Sequence, residues 1–179
     1  MAESFTNSVT RAAGIVTSTS AGAIGITTNK ITGISTVGIA VSDLVDTDNY
    51  ILGTKIQSVG ASEVVCDRDS TNTSASTSQS IKFLGPTTAY TSASGNKSIL
   101  VGGTFANNTG NEVNVTVTLY DNSAGTEVGI AQKIPVPNGS SFVISDAGKT
   151  VMESLDQIVL YCDTANAIDS TLSILKGVS

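Results

Sequence analysis

The chain has 179 residues, of which only 13% are charged and 4% aromatic, and it contains neither histidine nor tryptophan. An ordinary globular domain is about 25% charged, so this surface must be covered by hydroxyls and amides or buried against other subunits. The formal charge of −6, the pI near 4.4 and the scatter of Arg11, Lys30, Lys55 and Arg68 exclude a nucleic-acid-binding surface.

The apolar share, 40%, is mostly Val, Ile and Ala, which suits thin β layers better than a large enzyme core. Met1-Ala2-Glu3-Ser4-Phe5 lacks a basic region followed by an apolar run, so no signal peptide is expected. No apolar stretch approaches the ~18 residues that span a bilayer as a helix. The Asn-x-Ser/Thr triplets at Asn72, Asn107, Asn114 and Asn138 are therefore read as composition. Cys66 ends the apolar run Val64-Val65, and Cys162 continues the register of Ile158 and Leu160. Both are expected as small buried hydrophobes, not as a disulfide.

In chain order, residues 1–13 carry Phe5, Glu3 and Arg11 among small polar residues, too few to pack alone. They are expected as an arm that lies on a neighbour or adds to a sheet edge. Residues 14–85 hold short, Gly-punctuated β signals near 14–17, 23–27, 31–34, 41–45, 50–59, 62–66 and 80–84. That density predicts a small barrel or sandwich. Asp67 to Ser80 is almost wholly polar and is expected as a long loop, mobile or engaged by a partner. Gly85-Pro86-Thr87-Thr88 is the expected domain boundary, because Pro cannot continue a ladder.

Residues 86–179 show strand signals near 97–106, 112–121, 126–134, 139–145, 149–152, 156–163 and 167–176. In the most regular of them Val113, Val115, Val117 and Leu119 alternate with Asn114, Thr116, Thr118 and Tyr120, the pattern of a half-buried strand. Asn107-Asn108-Thr109-Gly110-Asn111 before it and Asp121-Asn122-Ser123-Ala124-Gly125 after it read as hairpin turns. From Ser98 to Pro137 the expectation is thus a three-stranded meander. Asp146-Ala147-Gly148 is a further expected turn. The fold class is all-β: two small antiparallel domains, the second a sandwich with a jelly roll as one form open to it.

Catalytic constellations fail one by one. Without histidine there is no imidazole base, and two isolated cysteines cannot build a zinc site. Ser173-Ile174-Leu175-Lys176 matches Ser-x-x-Lys, but on a strand positions i and i+3 face opposite ways. Gly95-Asn96-Lys97-Ser98 resembles the end of a phosphate loop, yet Tyr90 stands where Gly is needed. Asp43, Asp46 and Asp48 lack the Gly and late Glu of a calcium loop and read as a solvated acidic turn. Asp67-Arg68-Asp69 reads as a surface charge cluster, and Tyr90, Tyr120 and Tyr161 are too dispersed for a carbohydrate platform. No catalytic residue, cofactor or metal is expected.

Two segments carry a family resemblance. Ser4-Phe5-Thr6 followed by Val9-Thr10-Arg11-Ala12-Ala13-Gly14 is similar to the opening of small virion structural proteins of marine tailed phages, particularly cyanophages. Pro135-Val136-Pro137-Asn138-Gly139, then Lys149-Thr150-Val151-Met152-Glu153-Ser154-Leu155-Asp156, resembles a Pro-Val-Pro-x-Gly turn and a Lys-x-Val-Leu-x-x-Gly-Asp element of the same family. The last strand, from Ile168 to Leu175, resembles that family's closing strand, and Leu155 stands where the family has Gly.

The resemblance implies a non-enzymatic virion protein made in the host cytoplasm, a decoration (cement) protein stabilising the capsid. The alternative is a neck, collar, tail or fibre component with a host-surface or glycan-binding β module, contacted through loops such as 67–80 and 106–112. The implied partners are copies of itself and the major capsid or other virion proteins, with no nucleic acid and no membrane. Phe5 and Arg11 on the arm are expected protein contacts. So is the uncharged face of Asn114, Thr116, Thr118 and Tyr120, where charge would be costly to desolvate.

Overall fold

The computed structural model describes residues 3–145 and 149–178, so the expected turn at Asp146-Ala147-Gly148 lies outside the described residues. The described residues contain fifteen β-strands, numbered in chain order, and no helix. The chain is all-β, with three antiparallel sheets divided between two compact units. Met1–Gly14 joins Thr87–Ser179 in one unit, and Ile15–Pro86 forms the other, inserted between them.

The first residues are therefore not a separate arm. β1 (Ser4–Ala13) pairs antiparallel with the last strand, in unbroken register from Ser4 opposite Lys176 to Thr10 opposite Ser170. Of the two arrangements open to an arm, the chain adopts the sheet edge, and the sheet is its own. The physical reason is alternation: Thr6, Ser8 and Thr10 turn inward, half-buried, while Phe5, Asn7, Val9 and Arg11 stay exposed.

In the inserted unit, β2 (Ile15–Ile24), β3 (Lys30–Thr32), β4 (Leu44–Asp46), β5 (Ile56–Val59), β6 (Glu63–Cys66) and β7 (Ser76–Gly85) form one sheet. Their order is β4-β7-β2-β3-β6-β5. The two end strands meet through a single bridge, Leu44 to Lys55, flanked by Val45 N–H donating to Thr54 O at 2.9 Å. The sheet curls around Ile24, Ile31, Ile56, Val64, Ile81 and Phe83 without a continuous ladder at the seam, so it is not a closed barrel. The polar run expected as loop up to Ser80 is strand from Ser76 onward, because its Ser and Gln residues ladder onto Gly22 and Ile24 of β2.

Among the titratable groups of this unit, Cys66 and Asp43 are shielded from water. Cys66 is buried and unpaired, and burial pushes its thiol up to about 11. Asp43 is 3% exposed, which corrects the solvated acidic turn expected there. Its Oδ2 accepts from Ala40 N at 2.9 Å, tying the turn before β4. Burial lifts the Asp43 carboxyl above its ordinary 3.8, against the lowering effects of that hydrogen bond and of Lys55. A carboxyl raised in the folded state binds protons more tightly there than in the unfolded chain. Stability therefore falls as pH rises from 3.8 through the folded value. Asp43→Asn keeps an acceptor and removes the titration. Thermal melts across that range should show a shallower decline for the variant; equal slopes would contradict the assignment.

The other unit continues with β8 (Thr87–Thr91), β9 (Lys97–Asn107), β10 (Val113–Asp121), β11 (Thr126–Val136), β12 (Ser141–Ile144), β13 (Thr150–Met152), β14 (Gln157–Cys162) and β15 (Ile168–Val178). One sheet runs β1-β15-β9-β12, with β13 also on β9, and the second runs β11-β10-β14-β8. Their apolar faces share one core. Leu100, Phe105, Leu172 and Ile174 from the first sheet cluster with Val113, Val115, Val117, Ile158 and Leu160 from the second. Each such side chain contributes about 1.5–3 kcal/mol by leaving water. Cys162 lies in this core as a thiol and forms no disulfide.

The expected three-stranded meander is corrected here. β10 and β11 do pair, from Val113 opposite Val136 to Asp121 opposite Thr126. β9, however, belongs to the other sheet, between β15 and β12. The segment 107–111 is thus a corner from one sheet to the other, not a hairpin turn. Asn107 holds it: its Nδ2 donates to Asn111 O at 2.7 Å and Val136 O at 2.9 Å, and its Oδ1 accepts from Thr109 N at 2.8 Å. The 121–125 turn forms as expected, with Asp121 Oδ1 accepting from Ser123 N, Ser123 Oγ and Ala124 N. Those donors, the Ala124 N–H foremost, hold the Asp121 carboxyl below its ordinary value.

Candidate interaction surface

Among the described residues, no group of three or more His, Cys, Asp or Glu side chains is placed to hold a metal ion. The candidate sites are surfaces, and the two sheets of the sandwich differ sharply in what they present.

On the second sheet, the face of Asn114, Thr116, Thr118 and Tyr120 is largely occupied by the chain itself. Asn114 N and Nδ2 donate to the two carboxylate oxygens of Asp163 at 2.9 and 2.8 Å. Thr116 Oγ1 accepts from Lys133 N at 3.0 Å, where β11 bulges and Lys133 takes φ +50°. Thr118 is 4% exposed and gives its hydroxyl to Glu127, whose other oxygen accepts from Tyr161. Tyr120, at the end of the row, stays half-exposed. The face is also not free of charge, since Glu127 and Asp163 arrive from the flanking strand and the following loop. Sequence alternation sees only one strand's side chains; neighbours supplied the carboxylates.

The outer face of the first sheet is the opposite case. Pairing places Phe5 opposite Leu175, Leu175 opposite Ile99, and Ile99 opposite Val151, an apolar row across four strands. A second row runs Val9, Thr171, Thr104, Val143. Between them lie Asn7, Ser173 and Gly102. Phe5 is 76% exposed, Val9 72%, and Val143 and Val151 54% each. No residue of these rows is charged. Charge begins at the margins, with the Lys97–Glu153 ion pair (2.9 Å) at one end and Arg11 and Asp169 at the other. Cross-strand apolar rows stabilise a sheet by ~0.2–1 kcal/mol per pair, and four large aliphatic or aromatic groups this exposed on one face make it a candidate contact surface.

Of the residues the sequence marks as contacts, Phe5 therefore lies in the first exposed row and Arg11 at the margin beyond the second. The other four lie on the other sheet, and Thr118 is inaccessible. Val143, Val151 and Leu175 escaped sequence reasoning because each sits on a different strand. Only their common register, through β9, brings them together.

A second feature lies in the inserted unit. Asp48, Asn49, Asn72, Ser74 and Gln79 line an open polar hollow of about 470 Å³. Asn72 Nδ2 donates to Ser74 O at 2.6 Å, while its Oδ1 is shielded from solvent without a partner. No family model, curated protein or solved structure matches this chain.

Proposed function

We propose that the chain is a non-enzymatic structural protein of a tailed-phage virion, a capsid decoration protein. It binds copies of itself and its shell partners through the outer face of the five-stranded sheet. The observation that carries this reading is that uncharged face, with apolar and hydroxyl rows spanning four strands. Burying it desolvates no ion, and the many contacts of a shell add up although each is weak.

Two glycine positions lend support to the family resemblance. Gly14, the Gly of the opening pattern, has φ +124°, and a Cβ there would lie 2.4 Å from Thr164 O. Leu155, where the family has Gly, has φ +68°, a left-handed backbone that glycine adopts without strain.

The face is tested by Val143→Asp combined with Val151→Asp. Both side chains are more than half exposed, so the fold should persist while binding to particles stripped of this protein is lost. Binding at wild-type level would overturn the assignment of this face. Thr116→Lys is a poorer probe, because it would also open the Lys133 bulge.

A second reading, a tail or fibre component with a glycan-binding module, has one observation in its favour. The hollow at 71–79 offers a carboxylate, amides, hydroxyls and the unpartnered Asn72 Oδ1, groups that bind sugar hydroxyls. Glycan-array binding abolished by Asn72→Ala would favour it.

A further inference from the structure

Among the described residues the free edge of β1 is the least protected, and it is complementary to itself. Natural sheets blunt their edges with shortness, bulges, proline or charge, since an open edge recruits another strand. The other edges among the described residues follow this practice. β8 has five residues and β12 four. β11 is long but shifts register twice against β10, with Lys133 at φ +50° and Pro135 within it. The two end strands of the inserted unit are bridged to each other. β1 alone is both long and regular over most of its length: from Ser4 to Thr10 it has no Pro, Gly or bulge, and its one register shift, with Ala12 at φ +55°, comes after Thr10.

We propose that two copies of this protein join β1 to β1 antiparallel about a two-fold axis at Asn7. In that register positions summing to 14 face each other. Glu3 meets the partner's Arg11, Phe5 meets the partner's Val9, and Asn7 meets its own equivalent. Phe5, Asn7 and Val9 lie on the exposed, odd-numbered side of β1, so their pairs share one face of the joined sheet, and Glu3 just before the strand and Arg11 just after its regular stretch are exposed as well. The two-fold doubles every pair: two ion pairs, two apolar pairs, one amide pair at the axis. Neither Glu3 nor Arg11 has a salt-bridge partner among the described residues. A shift of two residues along the strand would set Phe5 against Asn7 or Arg11 and leave the charges unmatched.

The pairing also joins the two exposed rows. Val151, Ile99, Leu175 and Phe5 of one copy run on into Val9, Thr171, Thr104 and Val143 of the other, giving a continuous uncharged band across the dimer. The inference deepens the self-association part of the function proposed above. Its test uses purified protein without particles, so its failure is distinguishable from failure of shell binding.

Sedimentation of the wild-type chain should show a monomer–dimer equilibrium. Glu3→Arg or Arg11→Glu alone replaces both ion pairs by like charges and should weaken the dimer about tenfold. The double variant Glu3→Arg/Arg11→Glu restores opposite charges and should recover it, which a nonspecific effect would not. Because Cys66 and Cys162 are buried, Asn7→Cys should cross-link under mild oxidation through the residue at the axis. Val9→Cys, whose copies lie two pairs from the axis on opposite sides, should not. A chain that stays monomeric at ~100 µM, a dimer indifferent to the charge reversals, or cross-linking of the Val9→Cys variant but not of Asn7→Cys would overturn the proposal.

Discussion

Replacing Gly14 by alanine is expected to destabilise the sandwich unit by roughly 3–5 kcal/mol. Gly14 has φ +124°, where an L side chain is strained, and the new Cβ would sit 2.4 Å from Thr164 O and 3.3 Å from the Cβ of Cys162. Neither neighbour can retreat cheaply. Thr164 O belongs to the backbone, and the next turn is fastened by Asn166 N donating to Gly14 O at 3.0 Å and Ala167 N to Ala13 O at 2.9 Å. These bonds hold the end of β1 against the approach to β15. Chemical denaturation monitored by amide exchange in β1 and β15 measures the effect. A loss below about 1 kcal/mol would mean that the backbone relaxes there and the close approach is not a constraint.

Asn107→Ala should cost about 3 kcal/mol, a large effect for a residue with no apolar role. Its side chain is buried and satisfies groups on both sides of the inter-sheet corner: Asn111 O, Val136 O and Pro137 O through Nδ2, and Thr109 N through Oδ1. Alanine would orphan acceptors in a place water does not reach freely, and desolvated groups left without partners carry the cost. Asn107→Asp keeps the acceptor for Thr109 but loses the Nδ2 donors, and places a carboxylate beside three carbonyl oxygens. It should be at least as damaging. Equilibrium denaturation of both variants checks the ordering; an alanine variant within about 0.5 kcal/mol of wild type would show that the corner is held by its backbone alone.

How far the residues disclose this structure varies along the chain. The alternation of Val113, Val115 and Val117 with polar residues announces β10 and its buried face, because period-2 patterning is a local property. Which strand lies beside it is not local. Asn-Asn-Thr-Gly-Asn suits a hairpin and an inter-sheet corner equally, and the choice rests on Asn107 reaching Val136 and Pro137, 29 and 30 residues away. Gly85-Pro86-Thr87-Thr88 read as a boundary, and the inserted unit ends at Pro86, but the edge strand that starts at Thr87 and pairs with β14 left no signal beside that Pro. The arm was legible as a segment unable to pack alone, but its destination on β15 was not. The contact surface was the least legible part. The single-strand pattern pointed to β10, where Glu127 and Asp163 close the face, while the uncharged rows of the first sheet draw one residue from each of four strands.

On the proposed reading, this outer face is what the chain turns toward its neighbours in a virion. Locating the chain in the density of an intact particle tests it most directly. The expected result is on the order of hundreds of copies on the capsid surface, as many weak contacts acting together require, with Phe5, Val9, Val143 and Val151 buried against a second copy or the shell. Density at a neck, tail or fibre in about a dozen copies or fewer, or on the shell with those four side chains facing solvent, would contradict it.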